Sequence, residues 1–434
     1  MDIVTLPSRS VPVLAEADIC VAGGSCTGVF AAVTAARRGA RVAVVEPQNR
    51  FGGTATASQV CYWHSIFNLD YSRQIIAGMT DEILHRLDRR GQVDYADGPD
   101  PSWYARLNTE ELAIELDELV VEAGVLPFLH TRAVDVWRDA DGRPAGLLVA
   151  GKGGLGVLKA KYLVDATGDG DICAAAGAEM WRNPSLQPPT ACAKMSRWPE
   201  REVGMFELGK WIHAEAERYR MPEGMIWGCP TPGKNTFMLA GTKIPDADLS
   251  DPAELTAGEI EGRRQIRAIQ DIVAGHGLPR PVLEALPSLI GIRDTRHIRS
   301  LYRLTTDDIL YGREFPDTIA RGTYRVDVHS QNPPGTRFLY LDGTEVFISP
   351  DRENEATRWR PEGPAPECYN IPLRSLIPAG FDNLISAGRM IDAETGAYGA
   401  VRVMVTMNQT GEAAGNAAYE ALDKDTGIPE AAGL

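Results

Sequence analysis

The sequence predicts an α/β protein in two parts. One is a parallel-sheet domain carrying a β-meander, assembled from residues 1–177 and 371–434; the other is an α+β domain inserted at 178–370. Three observations predict this. Near the start, an apolar run, a glycine cluster, a small-residue helix and a second apolar run form one β-α-β unit. Short strand patterns with a hairpin signal follow within 125–165. After a proline-rich middle of different character, the chain returns from Leu384 to an apolar strand, a glycine-rich loop and a helix.

The elements follow in order. Asp18 to Ala22 is an apolar run ending at glycine, which fits a buried parallel strand. Residues 27–38 are small and helix-compatible, and Gly39 stands where a C-terminal cap belongs. Arg41 to Val45 is the second strand, closed by Glu46. About 58–107 reads as a helical insertion, with a helix at Thr80–Arg90 ended by Gly91. Asn108 caps a further helix to Ala123, with Glu111 three residues on and Leu112, Leu116, Leu119 and Val120 on one face. Val125–Val136, Leu147–Val149 and Leu158–Asp165 read as strands, with a turn at Asp141-Gly142. In the middle segment, strand-like runs stand at 236–244, 323–329, 337–341 and 345–348. A helix at 256–274 opens on Thr256-x-x-Glu259 and stops at Gly275. The final helix spans about 400–422.

Composition narrows the function. A length of 434 residues favours more than one core, since single cores seldom exceed roughly 250–300 residues. A hydrophobic fraction of 44% and a charged fraction of 24% exclude global disorder, collagen and a small disulfide scaffold. The net charge of −15 argues against a nucleic-acid partner. Seven scattered cysteines without C-x-x-C spacing point to reduced thiols in a cytoplasm rather than disulfides or a zinc site, and no metal centre is expected. No apolar run approaches the length of a membrane span, and no signal peptide is read at the start.

Gly23-Gly24-Ser25-Cys26-Thr27-Gly28 lies between the first strand and helix. It matches G-x-G-x-x-G at the first and third glycines, with Ser25 at the second. Gly23 permits the tight turn, Gly28 close helix–strand packing, and the helix amides an anion. Glu46 stands where a carboxylate accepts from ribose hydroxyls, and its charge disfavours a 2′-phosphate. Together these make a Rossmann-like dinucleotide site. The alternative is a purely structural turn.

Three further segments bear on which dinucleotide: Phe51-Gly52-Gly53-Thr54-Ala55-Thr56-Ala57, Leu163 to Asp171 (Leu-Val-Asp-Ala-Thr-Gly-Asp-Gly-Asp), and Asn383 to Arg389 followed by Gly399 to Val403. In these motifs the chain resembles FAD-dependent oxidoreductases of the glutathione-reductase-like, two-segment class. The likeness is nearest to a bacterial group related to fumarate reductase and succinate dehydrogenase flavoproteins. The resemblance implies FAD as cofactor. Gly23 to Gly28 and Glu46, with Pro47 and Gln48, would hold its pyrophosphate and adenosine ribose. Gly52, Gly53, Thr54, Ala55 and Thr56 would pass along the pyrophosphate and the flavin edge. Ala133 and Val134 would contact adenine through their backbone. Ala166, Thr167, Gly168 and Asp169 would close the adenine side. Gly388, Arg389, Met390, Ile391 and Asp392 would return to the pyrophosphate and ribitol. Val401, Arg402 and Val403 open the last helix, whose N-terminus would favour negative charge on the flavin pyrimidine ring. Arg402 would assist there or pair with a nearby carboxylate.

The implied reaction is hydride transfer between the flavin and a small organic substrate in the interdomain cleft, with oxygen, a quinone or another protein as electron acceptor. An anionic substrate is one option. A homo-oligomer is left open. His64 follows the flavin-edge loop and His329 ends an alternating strand that sends Arg325 and Asp327 to its own face and Tyr324, Val326 and Val328 to the other. His64 is a candidate for orienting the substrate or transferring a proton, and His329, facing the cleft, is the preferred base, against the alternative of a packed, hydrogen-bonded ring. Arg293, with Arg296, His297 and Arg299 close by, is a candidate anion clamp, against a charged face with surface ion pairs. Cys26 is expected to be a packing residue rather than a redox thiol. Two other functions stay open: a non-catalytic flavoprotein, and an NAD-dependent dehydrogenase.

Overall fold

The computed structural model describes residues 4, 8, 10–96, 104–199, 203–222, 224, 226–233, 235–331, 334–349 and 354–434. Its centre is a five-stranded parallel sheet in the spatial order Leu384–Ser386, Tyr162–Asp165, Ile19–Ala22, Val42–Val45 and Leu126–Phe128. Ile19–Ala22 and Val42–Val45 are apolar throughout because both faces are covered. Ile19, Val21, Val42 and Val44 pack into a core with the helices, while Cys20, Ala22, Ala43 and Val45 pack into a second core with the meander.

That meander is Arg132–Arg138, Pro144–Gly151 and Gly154–Lys159, with Val13–Glu16 added in parallel at its edge. Gly142 turns the first hairpin with φ +81°. The fold is thus the α/β arrangement expected, with a dinucleotide-type parallel sheet and added α+β structure.

On the helical side, Cys26–Arg37 is crossed by the long C-terminal helix Met404–Lys424. Two glycines make the crossing close. A Cβ on Gly411 would lie 2.0 Å from the Thr27 carbonyl oxygen, and one on Gly415 would lie 2.2 Å from that of Ala31. Both helices are thereby fixed with their N-terminal ends toward the same region.

The middle of the chain adds an antiparallel sheet, Trp227–Pro230, Phe237–Ala240, Ala193–Ser196 and Val282–Ala285, packed on helices Met205–Ala214 and Pro252–Gly275. A second antiparallel meander runs Val326–Gln331, Pro334–Leu339, Thr344–Ile348 and Glu355–Arg358.

Four details depart from the sequence reading. Among its described residues, the stretch expected to be helical holds one helix, Gly78–Arg89, and a three-stranded sheet of Tyr62–Trp63, Ala105–Leu107 and Val93–Tyr95. The helix expected at 256–274 begins a turn earlier, because Asp251 accepts from the Ala253 and Glu254 amides and Pro252 fits the first turn. Thr256 bonds the Pro252 carbonyl inside that helix and caps nothing. The last helix is two, Thr395–Val401 and Met404–Lys424, broken at Arg402 and Val403. Among the described residues, no helix is long and apolar enough to cross a membrane.

Candidate active site

Four parallel strands end at one cavity of about 830 Å³. Gly23, Glu46, Ala166 and Ala387, each directly after its strand, line it. This is the position where open α/β sheets bind ligands. Ser25 caps the first helix by accepting from the Gly28 amide. Its side chain is accommodated because Gly53 has none: a Cβ there would sit 2.7 Å from the Ser25 Cβ. Glu46 is buried. Its two oxygens accept from the Gly24 and Gln48 amides, each at 2.8 Å, and burial pushes its carboxyl above the ordinary range.

The far wall is polar and crowded. The Tyr324 hydroxyl donates to Asp327 Oδ2, and Asp327 Oδ1 faces His329 Nε2 at 3.6 Å. His329 Nδ1 bonds the Thr336 hydroxyl. Arg402 Nη2 approaches Asp327 at 3.4 Å. Burial alone would raise the Asp327 carboxyl, but His329, Arg402 and Arg325 and the Tyr324 hydroxyl outweigh it and hold it at about 2. Burial holds the His329 imidazole well below its ordinary value. Burial, with Arg325 adding to it, brings His64 to about 3. Burial and the Arg402 charge bring Arg293 to about 10. Arg293 donates to the Pro188 carbonyl and the Thr190 hydroxyl. The Nε atoms of Arg325 and Arg402 are buried without a hydrogen-bond partner in the protein.

The chain matches, over residues 18–431, the family described as FAD dependent oxidoreductase. The chain belongs to that family. Its enzymes are FAD-dependent oxidoreductases, and FAD is its cofactor. Among solved structures, a geranylgeranyl bacteriochlorophyll reductase-like protein from Thermoplasma acidophilum is 14% identical, with 96% of this chain and 81% of that one covered and a TM-score of 0.50, which supports the fold. An L-proline dehydrogenase from P. horikoshii is 13% identical over 96% of this chain and 95% of that one, with a TM-score of 0.43. No curated protein matches the chain closely.

The residues present fit FAD. The Gly23 turn has no room for a Cβ, which would lie 2.4 Å from the Ala166 carbonyl oxygen, and Gly52 at φ +112° brings its own backbone beside Ser25. Unpartnered Arg402 Nε supplies a donor on the opposite side. The helix Met404–Lys424 starts at the cavity, where Val403, Met404, Met407 and Asn408 line it. With the break at Arg402–Val403, the long helix opens at Met404 with Val403 as its cap, at the far end of the stretch Gly399 to Val403 expected to form that N-terminus.

The cavity gathers Gly23, Ser25, Cys26, Thr27, Glu46, Pro47, Gln48, Gly52, Gly53, Thr54, Ala133, Ala166, Thr167, Gly168, Asp169, Gly388, Arg389 and Val403 from the expected cofactor set. It also gathers His64, Arg293, Arg402 and His329. Nine expected cofactor residues stand behind it or away from it. Gly24 carries the amide held by Glu46, and a Cβ on it would strike the Phe51 ring. Gly28 lies under the Gly23 carbonyl, where a Cβ would come within 1.9 Å. Ala55, Met390, Ile391 and Val401 are core residues. The Thr56 hydroxyl is turned to the Phe51 carbonyl. Asp392 is buried and accepts from Trp181, Arg303 and the Ser300 amide. Val134 is 45% exposed, because its neighbour Ala133 takes the inward side of the strand. Cys26 packs at the helix start with its thiol pushed up to about 12 by burial.

Only Arg293 of the basic run faces the cavity. Arg296 pairs with Asp171, His297 is buried against Asp294 and the Ile391 carbonyl, and Arg299 pairs with Glu179. Sequence reasoning did not assign Tyr324, Arg325 or Asp327 to the site, yet all three line it. Alternation had already put Asp327 on the face of His329. It sent Tyr324 to the other face, but the strand begins only at Val326, so the rule does not reach Tyr324.

Proposed function

We propose that this oxidoreductase transfers a hydride between FAD and a small anionic organic substrate bound between the sheet domain of 1–177 and 371–434 and the segment 178–370. FAD, when bound, supplies the two-electron acceptor or donor. The observation that carries the reading is the far wall: Arg293, Arg325 and Arg402 surround a single carboxylate, Asp327, beside a neutral His329. Three guanidiniums against one carboxylate leave an excess of positive charge at this buried wall, and a substrate anion offsets it. Arg293 and Arg402 orient that anion. His329 takes up or returns the substrate proton at Nε2, with Asp327 stabilising the charged ring and Tyr324 fixing Asp327. His64, held neutral between Tyr62 and Tyr324, packs against the reacting region with ring centroids at 5.1 and 4.8 Å. The finer likeness to glutathione-reductase-like and fumarate-reductase-related flavoproteins is supported by the two-segment arrangement of the cofactor loops.

The test is an anaerobic screen of the purified flavoprotein with pooled metabolites, read as bleaching of the flavin absorbance. Carboxylates or other anions should bleach it. Bleaching by neutral compounds alone would remove the anionic assignment. Reduction by dithionite but by no metabolite would leave FAD in a non-catalytic role.

A further inference from the structure

A cluster of thiols lies behind the aromatic side of the cavity. Cys61 directly precedes Tyr62, and Cys229 lies in the strand Trp227–Pro230. Their Sγ atoms are 3.7 Å apart, although 168 residues separate them in the chain. Cys192 packs in the same small core and lines the cavity, as do Tyr62 and Trp227. Cys192 thus borders the cavity, while Cys61 and Cys229 are buried behind the Tyr62 and Trp227 rings that line it.

The two sulfurs are not equivalent. The Cys229 thiol, together with the Lys194 and Arg106 charges, holds Cys61 below the ordinary thiol range against its burial. The contact with Cys61, and burial, push Cys229 up. Two sulfurs already 3.7 Å apart need little movement to join, and the Lys194 and Arg106 charges favour a thiolate on Cys61.

We propose that Cys61 and Cys229, whose sulfurs already touch, form a reversible disulfide when the protein is exposed to hydrogen peroxide. The Cys61 thiolate attacks a peroxide oxygen; the O–O bond breaks, the leaving hydroxide takes up the proton that Cys61 released, and the products are a sulfenic acid and water. Cys229 then attacks that sulfur, the S–O bond breaks and a second water leaves. Two thiols are oxidised by two electrons, and one peroxide is reduced to two waters. The new bond ties the strand bearing Tyr62 to the strand bearing Trp227, whose rings already meet edge to face at 5.6 Å. Oxidation therefore fixes one wall of the cavity. The proposal is independent of which substrate the enzyme uses.

The experiment is peptide mapping of the full-length, FAD-loaded protein. It is titrated with hydrogen peroxide, quenched with iodoacetamide and digested without reductant. The expected product is a Cys61–Cys229 linked peptide that dithiothreitol abolishes, while Cys20 and Cys173 remain alkylatable after denaturation. Cys229→Ser should leave Cys61 as a sulfenic acid trapped by dimedone, and Cys61→Ser should leave Cys229 a thiol at the same dose. Cys192→Ser should retain the link. Failure of the wild-type protein to give the link at doses that oxidise methionine would overturn the proposal without recourse to any variant. So would a link formed through Cys192 instead.

Discussion

The Tyr324 hydroxyl donates to Asp327 Oδ2 across 2.8 Å, while Asp327 Oδ1 stands 3.6 Å from His329 Nε2. Asp327 is the only carboxylate in a wall that also holds Arg293, Arg325 and Arg402, among the described residues lining that wall. Asp327→Asn keeps the shape and removes the charge that stabilises a protonated His329. With FAD retained, the rate of flavin bleaching by the screened substrate should fall by about 10²–10⁴. Anaerobic stopped-flow absorbance measures it; an unchanged rate would take Asp327 out of the reaction.

The same wall sets a pH dependence. His329 is held well below its ordinary value by burial, so in the free enzyme it is neutral across the neutral range. The bleaching rate at low substrate should therefore show no histidine titration near about pH 6.5. A break at that pH that disappears in His329→Gln would show the ring titrating as an ordinary imidazole, against the effect of its burial.

Glu46 holds the Gly24 and Gln48 amides with one oxygen each. Glu46→Gln turns one of those acceptors into a donor, which faces an N–H. It also removes the charge available to ribose hydroxyls. The loss of charge-assisted hydrogen bonds predicts FAD binding weakened by about tenfold or more. Release of flavin fluorescence on dilution reads this directly.

The parts legible in the sequence were those encoded within a few residues. The Gly23–Gly28 turn, Glu46 at a strand end and the Thr167–Gly168 loop are local motifs, and all three reach the cavity. The far wall is not local. Arg402 comes from a helix break, Arg293 from a loop and Asp327 from an antiparallel meander, so only tertiary packing brings them together. The basic run 293–299 shows the same limit from the other side, because its members turn to separate partners that lie elsewhere in the chain. The break at Arg402 has a local hint in Val403, but the apolar period runs on through it. Gly411 and Gly415 carried a readable signal: glycines four apart on one helix face mark a close crossing.

That crossing is testable. Gly411→Ala places a Cβ 2.0 Å from the Thr27 carbonyl oxygen and should lower Tm by several degrees, as overpacking typically costs about 1–3 kcal/mol. The helix it would displace starts at the FAD cavity, so flavin retention should fall with it. Gly209→Ala, in the helix Met205–Ala214 with open space at its Cβ, is the control and should be neutral or slightly stabilising. Equal effects of the two would show that the crossing tolerates side chains.

Glu412, next to Gly411, provides a stability measurement with a definite sign. Its carboxyl accepts from the Met79 amide, but burial raises it from 4.5 to about 7, and Glu82 adds to the rise. The folded protein therefore binds this proton more tightly than the unfolded chain does. The stabilisation is complete below the unfolded value of 4.5, declines as pH rises, and is lost above about 7. Glu412→Gln mimics the protonated form and keeps an acceptor for Met79. Its Tm should match the wild type in acid and exceed it increasingly up to about pH 7, where the difference levels off. Thermal melts of both proteins across that range give the comparison; parallel curves would mean that the fold leaves the Glu412 carboxyl unshifted.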